Sequence, residues 1–142
     1  AWYDNNTWKY SDLGIDGNQA HNHVTFSMKR VLQPWLKNLL KQYILLVAIN
    51  KSCFFVRNTI AGLSSFSEYL FSLRHMNEIN SLSEISRETI INYFSFLLSK
   101  GNSNTTRAER MIILNKFFKF FNIANCLIKN LNEKVSMPHI KT

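Results

Sequence analysis

The feature that most constrains the fold is a pair of apolar-periodic segments joined by a short polar turn, SLSEISRETIINYFSFLLSKGNSNTTRAERMIILNKFFKFF, Ser81 to Phe121. On both sides of the turn, apolar residues recur at three- and four-residue spacing, the period of a helix rather than a strand. Ser86 reads as an N-cap, with Glu88 in the first turn, where free N–H groups favour negative charge. Ile90, Phe94, Leu97 and Leu98 form the expected core stripe, and Lys100 and Gly101 supply a cation and a C′ glycine at the end. The next helix begins near Ser103 and ends near Asn122. Its expected buried face is Ala108, Met111, Leu114, Phe118 and Phe121, widened by Ile113, Phe117 and Phe120. So wide a stripe means burial on two sides, or an apolar surface awaiting another part of a larger protein.

Upstream, the spacing predicts a helix from about Pro34 to Asn50. Pro34 suits a first helical position, and Leu36, Leu39, Leu40, Tyr43, Ile44 and Val47 make its stripe. A short helical turn over Ser27 to Leu32 is a further expectation. After Ser52, a good N-cap, Val56, Ile60, Leu63, Phe66 or Ser67, Leu70 and Leu73 mark another helix. Gly62 in its middle costs about 1 kcal/mol relative to Ala, and close backbone approach or a bend is the usual reason. Cys126, Leu127, Ile128 and Leu131 suggest a short fifth helix, and Met137 to Thr142 reads as a linker or tail. No strand pattern competes. The expected architecture is all-α, a compact four- to five-helix bundle joined by short turns, with an irregular N-terminal extension. Residues 1–25 are that extension; Trp2, Tyr3, Trp8 and Tyr10 within it are candidates to dock on the body. Residues 26–125 form the helical domain and 126–142 a C-terminal helix or linker. The chain opens on Ala1 rather than Met, which reads as an excised piece.

The 142 residues carry a formal net charge of +8, and the charge is unevenly placed. No acidic residue occurs from Gly17 to Ser67, where Lys29, Arg30, Lys37, Lys41, Lys51 and Arg57 lie. Glu68 to Glu88 leans acidic, and the chain is basic again from Thr89. Such blocks suggest a face of one sign. Nucleic acid is the first partner to consider and an anionic membrane surface the second; the plain alternative is a solvated basic surface that maintains solubility. No apolar run approaches the roughly 18 residues of a membrane span, Tyr43 to Ile49 being the longest candidate. Cys53 and Cys126 are too few for a disulfide framework. The reading is an intracellular, reduced protein.

Arg107 and Arg110 oppose the dipole at a helix start by roughly 0.3–1 kcal/mol each. An anion at that end removes the cost, because backbone N–H groups there favour phosphate. Asn104, Thr105 and Thr106 add donors. Arg can read guanine bidentately or clamp a phosphate. The preceding long helix opens similarly, with Lys51, Ser52, Arg57 and Asn58, so two basic helix starts could lie along one groove. The alternative is a solvated helix start with Glu109 offsetting part of the charge.

The stretch from Ser81 to Phe121 resembles the N-terminal SAM-like, core-binding domain of tyrosine recombinases, the phage integrases. Ser86, Gly101, Ser103, Thr106, Lys116, Phe117 and Phe118 carry the match. PWLKNLLKQYI followed by SCFFVRNTIAGLSSFSEYL is similar to the family's first two helices, so the resemblance covers roughly Phe26 to Asn122. The series W…W…LGI…F…PWLK is similar to longer transposon-type recombinases. One departure is that SCFFV stands where the family usually has a Thr, with Thr59 later. The resemblance implies a SAM-like bundle that clamps one face of a recombination half-site, its second and fourth helices at the major groove. It places the catalytic arginines, lysine, histidines and tyrosine nucleophile in a separate C-terminal domain. Tyr69 and Tyr93 are then packing or surface residues.

Other chemistry finds little support. His21 and His23 have no further ligand nearby, and His75, His139 and the cysteines are scattered. Glu84 and Glu88 could be neighbours, but helix capping explains Glu88 better than paired acid–base work, and no glycine-rich phosphate loop or nucleophile motif occurs. The expectation is therefore a module that binds double-stranded DNA at recombination half-sites beside other recombinase protomers. It performs no chemistry alone, uses no cofactor, metal or small-molecule substrate, engages no membrane, and is cytoplasmic and nucleoid-associated. The candidate contacts are Lys41, Lys51, Arg57, Asn104, Thr106, Arg107, Arg110 and Lys116, with Arg107 and Arg110 at base edges and the lysines at the backbone. Lys37 and Lys119 rank behind them. The rival reading is a helical protein-interaction module whose face is Ile113, Phe117 and Phe120.

Overall fold

The computed structural model describes residues 1–15, 25–48, 51–76 and 78–135, with side chains through residue 122. Four helices dominate: α1 (Pro34–Val47), α2 (Cys53–Ser72), α3 (Arg87–Ser99) and α4 (Asn104–Val135). Each begins where local chemistry provides for its unpaired N–H groups. Pro34 opens α1. Ser52 Oγ accepts from the Phe55 N–H at 3.3 Å at the start of α2. At α3, Ser86 and Thr89 cap each other reciprocally, each side-chain oxygen accepting from the other's backbone N–H. Ser103 Oγ accepts from the Thr106 N–H at 3.1 Å as α4 begins. Between α3 and α4, Gly101 adopts a left-handed φ of 77°, which favours a residue without Cβ.

Helix α2 packs against each of the other three. The entry to α1 is clamped to it: Ser67 Oγ donates to Gln33 Oε1 at 2.6 Å and accepts from the Leu32 N–H at 2.8 Å. Helices α2 and α4 approach so closely that a Cβ built on Gly62 would lie 2.7 Å from Ile113 Cγ2. Close approach is thus the reason for that glycine.

Several expectations are corrected. A two-stranded antiparallel sheet exists, β1 (Thr7–Lys9) with β2 (Thr25–Ser27), pairing Trp8 with Phe26. Each strand is one inward apolar residue between two exposed ones, too short to display a period of two. The proposed turn of helix over Ser27 to Leu32 is instead the end of β2 and a tight turn from Met28 to Val31. Residues at the N-terminus are part of the core: Trp8, Tyr10, Leu13 and Ile15 are buried in the same cluster as α1 and α2. The boundary drawn at residue 25 falls inside the sheet. No break separates a fourth from a fifth helix, because α4 runs on to Val135. Helix α1 ends at Val47, and Ile49 and Asn50 lie outside the described residues, as do His21, His23, His139 and residues 136–142.

The register of α3 also differs. Thr89, Tyr93 and Leu97 face inward, while Phe94 and Leu98 are exposed. Turning Tyr93 inward buries a full ring against Phe66 at 5.2 Å, edge to face, and places its hydroxyl 2.8 Å from Ser65 Oγ. Burial and a satisfied hydroxyl together favour this register. Ala108 is exposed. The wide stripe of α4 is buried on two sides: Phe117 meets Tyr43 at 5.2 Å, and Phe118 meets Phe66 at 5.6 Å.

Candidate functional site

The crossing of α2 and α4 leaves a groove of about 260 Å³. Its apolar lining is Tyr43, Phe55, Ile112 and Ile113, with buried Thr59 beside them; its polar rim is Asn58, Glu109, Arg110 and Lys116. Helical spacing explains the set. Asn58 follows Phe55 by three residues on α2, and Ile113 and Lys116 repeat that interval on α4, so each pair shares a face. Thr59 donates its hydroxyl to the Phe55 carbonyl at 2.8 Å, so that hydroxyl proton is already used within the helix. Lys51, just before α2, has its Nζ 5.7 Å from the ring centre of Phe55, a residue of the groove lining. Two rim cations and Lys51 stand against the Glu109 carboxylate, so the groove favours an anion.

Burial raises the pKa of the Tyr43 hydroxyl. Burial likewise raises that of Tyr93, against the opposing Ser65 hydrogen bond and the Arg110 charge. Both phenols are neutral at physiological pH, so neither competes with an incoming anion for the rim cations.

The eight candidate contacts fall in four places. Arg110 and Lys116 line the groove, and Lys51 borders it. Arg57 is exposed one residue away from Asn58, its guanidinium 5.6 Å from the Phe54 ring. Arg107, Asn104 and Thr106 belong to the turn. Arg107 donates from Nη1 to the Asn102 carbonyl at 2.5 Å and from Nη2 to Asn104 Oδ1. Its Nε is buried without a hydrogen-bond partner. Thr106 Oγ1 accepts from the Ser103 hydroxyl at 3.0 Å. Arg107, expected at a base edge, has its guanidinium in contact with the turn residues Asn102 and Asn104. Its positive charge near the start of α4 is met by the Asn102 carbonyl in the turn that follows α3. Lys41 lies apart, donating to the Asp4 carbonyl at 3.2 Å beside Trp8.

Asn58 and Phe55 are groove residues that the contact set omitted. The signal for Asn58 was its place beside Arg57 in a basic helix start; that for Phe55 was hidden, since an aromatic at helical spacing reads as core. Of the face named for the protein-interaction reading, Phe117 is fully buried, whereas Ile113 and Phe120 are partly buried and Ile113 lines the groove.

Among the described residues, no helix is long and apolar enough to cross a membrane. The chain matches no family model, no curated protein and no solved structure.

Proposed function

We propose that this chain is a duplex-DNA-binding module of the tyrosine recombinase core-binding type, recognising a recombination half-site through the groove between α2 and α4. The observation that carries the reading is the convergence of Arg110, Lys116 and Asn58 on one groove, with Lys51 at its edge. The lysines suit phosphate, while Arg110 and Asn58 have the forked donors and acceptors that read purine edges. The sequence resemblance places the same two helices at DNA. The chain supplies binding and no chemistry of its own, within a parent recombinase whose catalytic residues lie in another domain, acting at the nucleoid beside other protomers.

Titration of a labelled random duplex at salt from about 50 to about 200 mM tests it, since log K falls with a slope near −0.9 per phosphate neutralised. Arg110→Ala with Lys116→Ala should make that slope shallower by about 1.8. Absence of duplex binding at the lowest salt, or a double variant with the wild-type slope, overturns the reading. Selection of bound duplexes from a random pool should return one preferred motif; an unenriched pool counts against half-site recognition.

A further inference from the structure

Arg110 also lines a second groove, about 300 Å³, shared with Arg30, Ser65, Glu68, Lys100 and Asn102. We propose that this second groove takes a backbone phosphate of the bound duplex, with Arg30 as a contact, so that the interface extends past α4 onto the turn after β2. The inference rests on the DNA-binding reading.

The mounting of Arg30 supports it. The Val31 N–H donates to the Met28 carbonyl at 3.1 Å, closing a tight turn with Arg30 at its third position. Met28 and Val31 at the two ends are fully buried. The backbone under Arg30 is thus anchored in the core while its side chain is exposed. A cation held this way reaches an anion with little further ordering of the chain. The groove sets Arg30, Lys100 and Arg110 against one carboxylate, Glu68, which pairs with Lys100 at 2.8 Å. Both partners of that pair are about half exposed, and such a solvent-screened surface pair contributes little. A phosphate can therefore replace Glu68 at Lys100 with little loss. Ser65 Oγ, held 2.8 Å from the Tyr93 hydroxyl, fixes a polar atom in the groove wall. Arg110 lines both grooves, so the two adjoin at the residue that would pass a strand from one to the other.

The test is the same salt titration of the full chain on a random duplex. Arg30→Ala should weaken binding several-fold at about 50 mM salt and make the slope shallower by about 0.9, one phosphate. Arg30→Lys, which keeps the charge, should restore the slope. Arg87→Ala is the charge-matched control; Arg87 stands at the far end of α3 from Lys100, roughly 20 Å away along the helix, and its slope should equal wild type. An Arg30→Ala slope equal to that of Arg87→Ala overturns the inference while leaving the first groove standing, provided Arg110→Ala with Lys116→Ala still lowers the slope. Arg30→Lys losing as much slope as Arg30→Ala also overturns it. Wild-type chain that ignores duplex but binds vesicles of phosphatidylserine and phosphatidylcholine through Arg30 overturns both, assigning the groove to a lipid headgroup.

Discussion

Arg107 reaches back to the Asn102 carbonyl, while Arg110, less than a turn further along α4, faces the groove. Their sequence contexts are nearly the same, and the difference is made by the short turn, which brings a carbonyl within reach of Arg107 alone. Arg107→Ala should therefore lower stability by about 1.5–3 kcal/mol, the range for a hydrogen bond from a charged donor. It should leave the salt slope of duplex binding at the wild-type value, with denaturant unfolding and DNA titration of one preparation checking both. A full loss of DNA slope at unchanged stability would reverse the assignment. Tyr10 gives the pH dependence. Burial pushes its hydroxyl up to about 12, with Cys53 adding to the rise and Arg57 opposing it. In the unfolded chain it titrates near its ordinary value of about 10. Between those values the unfolded state has released a proton that the folded state still holds, so stability falls as pH rises. Below about pH 10 this contribution is fully present. The hydroxyl is buried with no hydrogen-bond partner. Tyr10→Phe should then keep or raise stability near neutrality, by up to about 1–3 kcal/mol, and flatten the alkaline decline. Unfolding midpoints near neutral pH and midway between the two values decide it.

Helices were legible where their signals are local. Pro34, Ser52, Ser86 and Gly101 act within one turn of themselves, and the structure uses each at its expected place. The register of α3 was not legible, because two apolar stripes of equal helical spacing overlap there. The choice between Phe94 and Tyr93 is made by Phe66 and Ser65 on α2, which no local pattern contains. The sheet was hidden for a similar reason, since the partner of Trp8 is Phe26, far along the chain. Gly62 lies between these cases: its cost within a helix was visible, but the atom that requires it, Ile113 Cγ2, belongs to α4. Gly62→Ala gains about 1 kcal/mol of helix propensity against an overpacking cost of about 1–3 kcal/mol. Ile113 is β-branched and stiff at χ1, so it yields little, and the net effect should be destabilising. Ile113→Ala, which removes the opposing methyl, should make the same glycine substitution stabilising. A double-mutant cycle by denaturant unfolding measures the coupling; additive effects would mean the two helices part more easily than their contact suggests.

At the scale of the molecule, the charge blocks of the sequence are only partly separated in space, since Glu109 lines the first groove and Glu68 the second. Arg110, Lys116 and Arg30 gather along α4 and α2, while Glu78, Glu84 and Glu88 share a different groove beside Tyr69. The docking expected of Trp8 and Tyr10 is seen, but the sequence did not show that Leu13 and Ile15 join them in the core. Residues without a period look like an appendage, yet Trp8 is 1% exposed and its indole N–H donates to the Asn5 carbonyl at 2.9 Å. Its ring lies 5.9 Å from Phe26, edge to face, and Lys41 of α1 approaches its face. The segment thus closes over α1, and it holds β2 and the turn that presents Arg30. Trp8→Ala should cost about 3–5 kcal/mol, as for other buried aromatic truncations, a large share of the roughly 5–15 kcal/mol that stabilises a domain. Trp2, 38% exposed, is the comparison, because it belongs to the same segment without being enclosed. Trp2→Ala should cost well under half as much. If the N-terminus were an arm laid on a finished bundle, both substitutions would be mild and both would leave Arg30-dependent binding intact. If it completes the core, Trp8→Ala lowers the unfolding midpoint sharply and carries DNA affinity down with the folded fraction. Denaturant unfolding and duplex titration of the two variants side by side distinguish these outcomes.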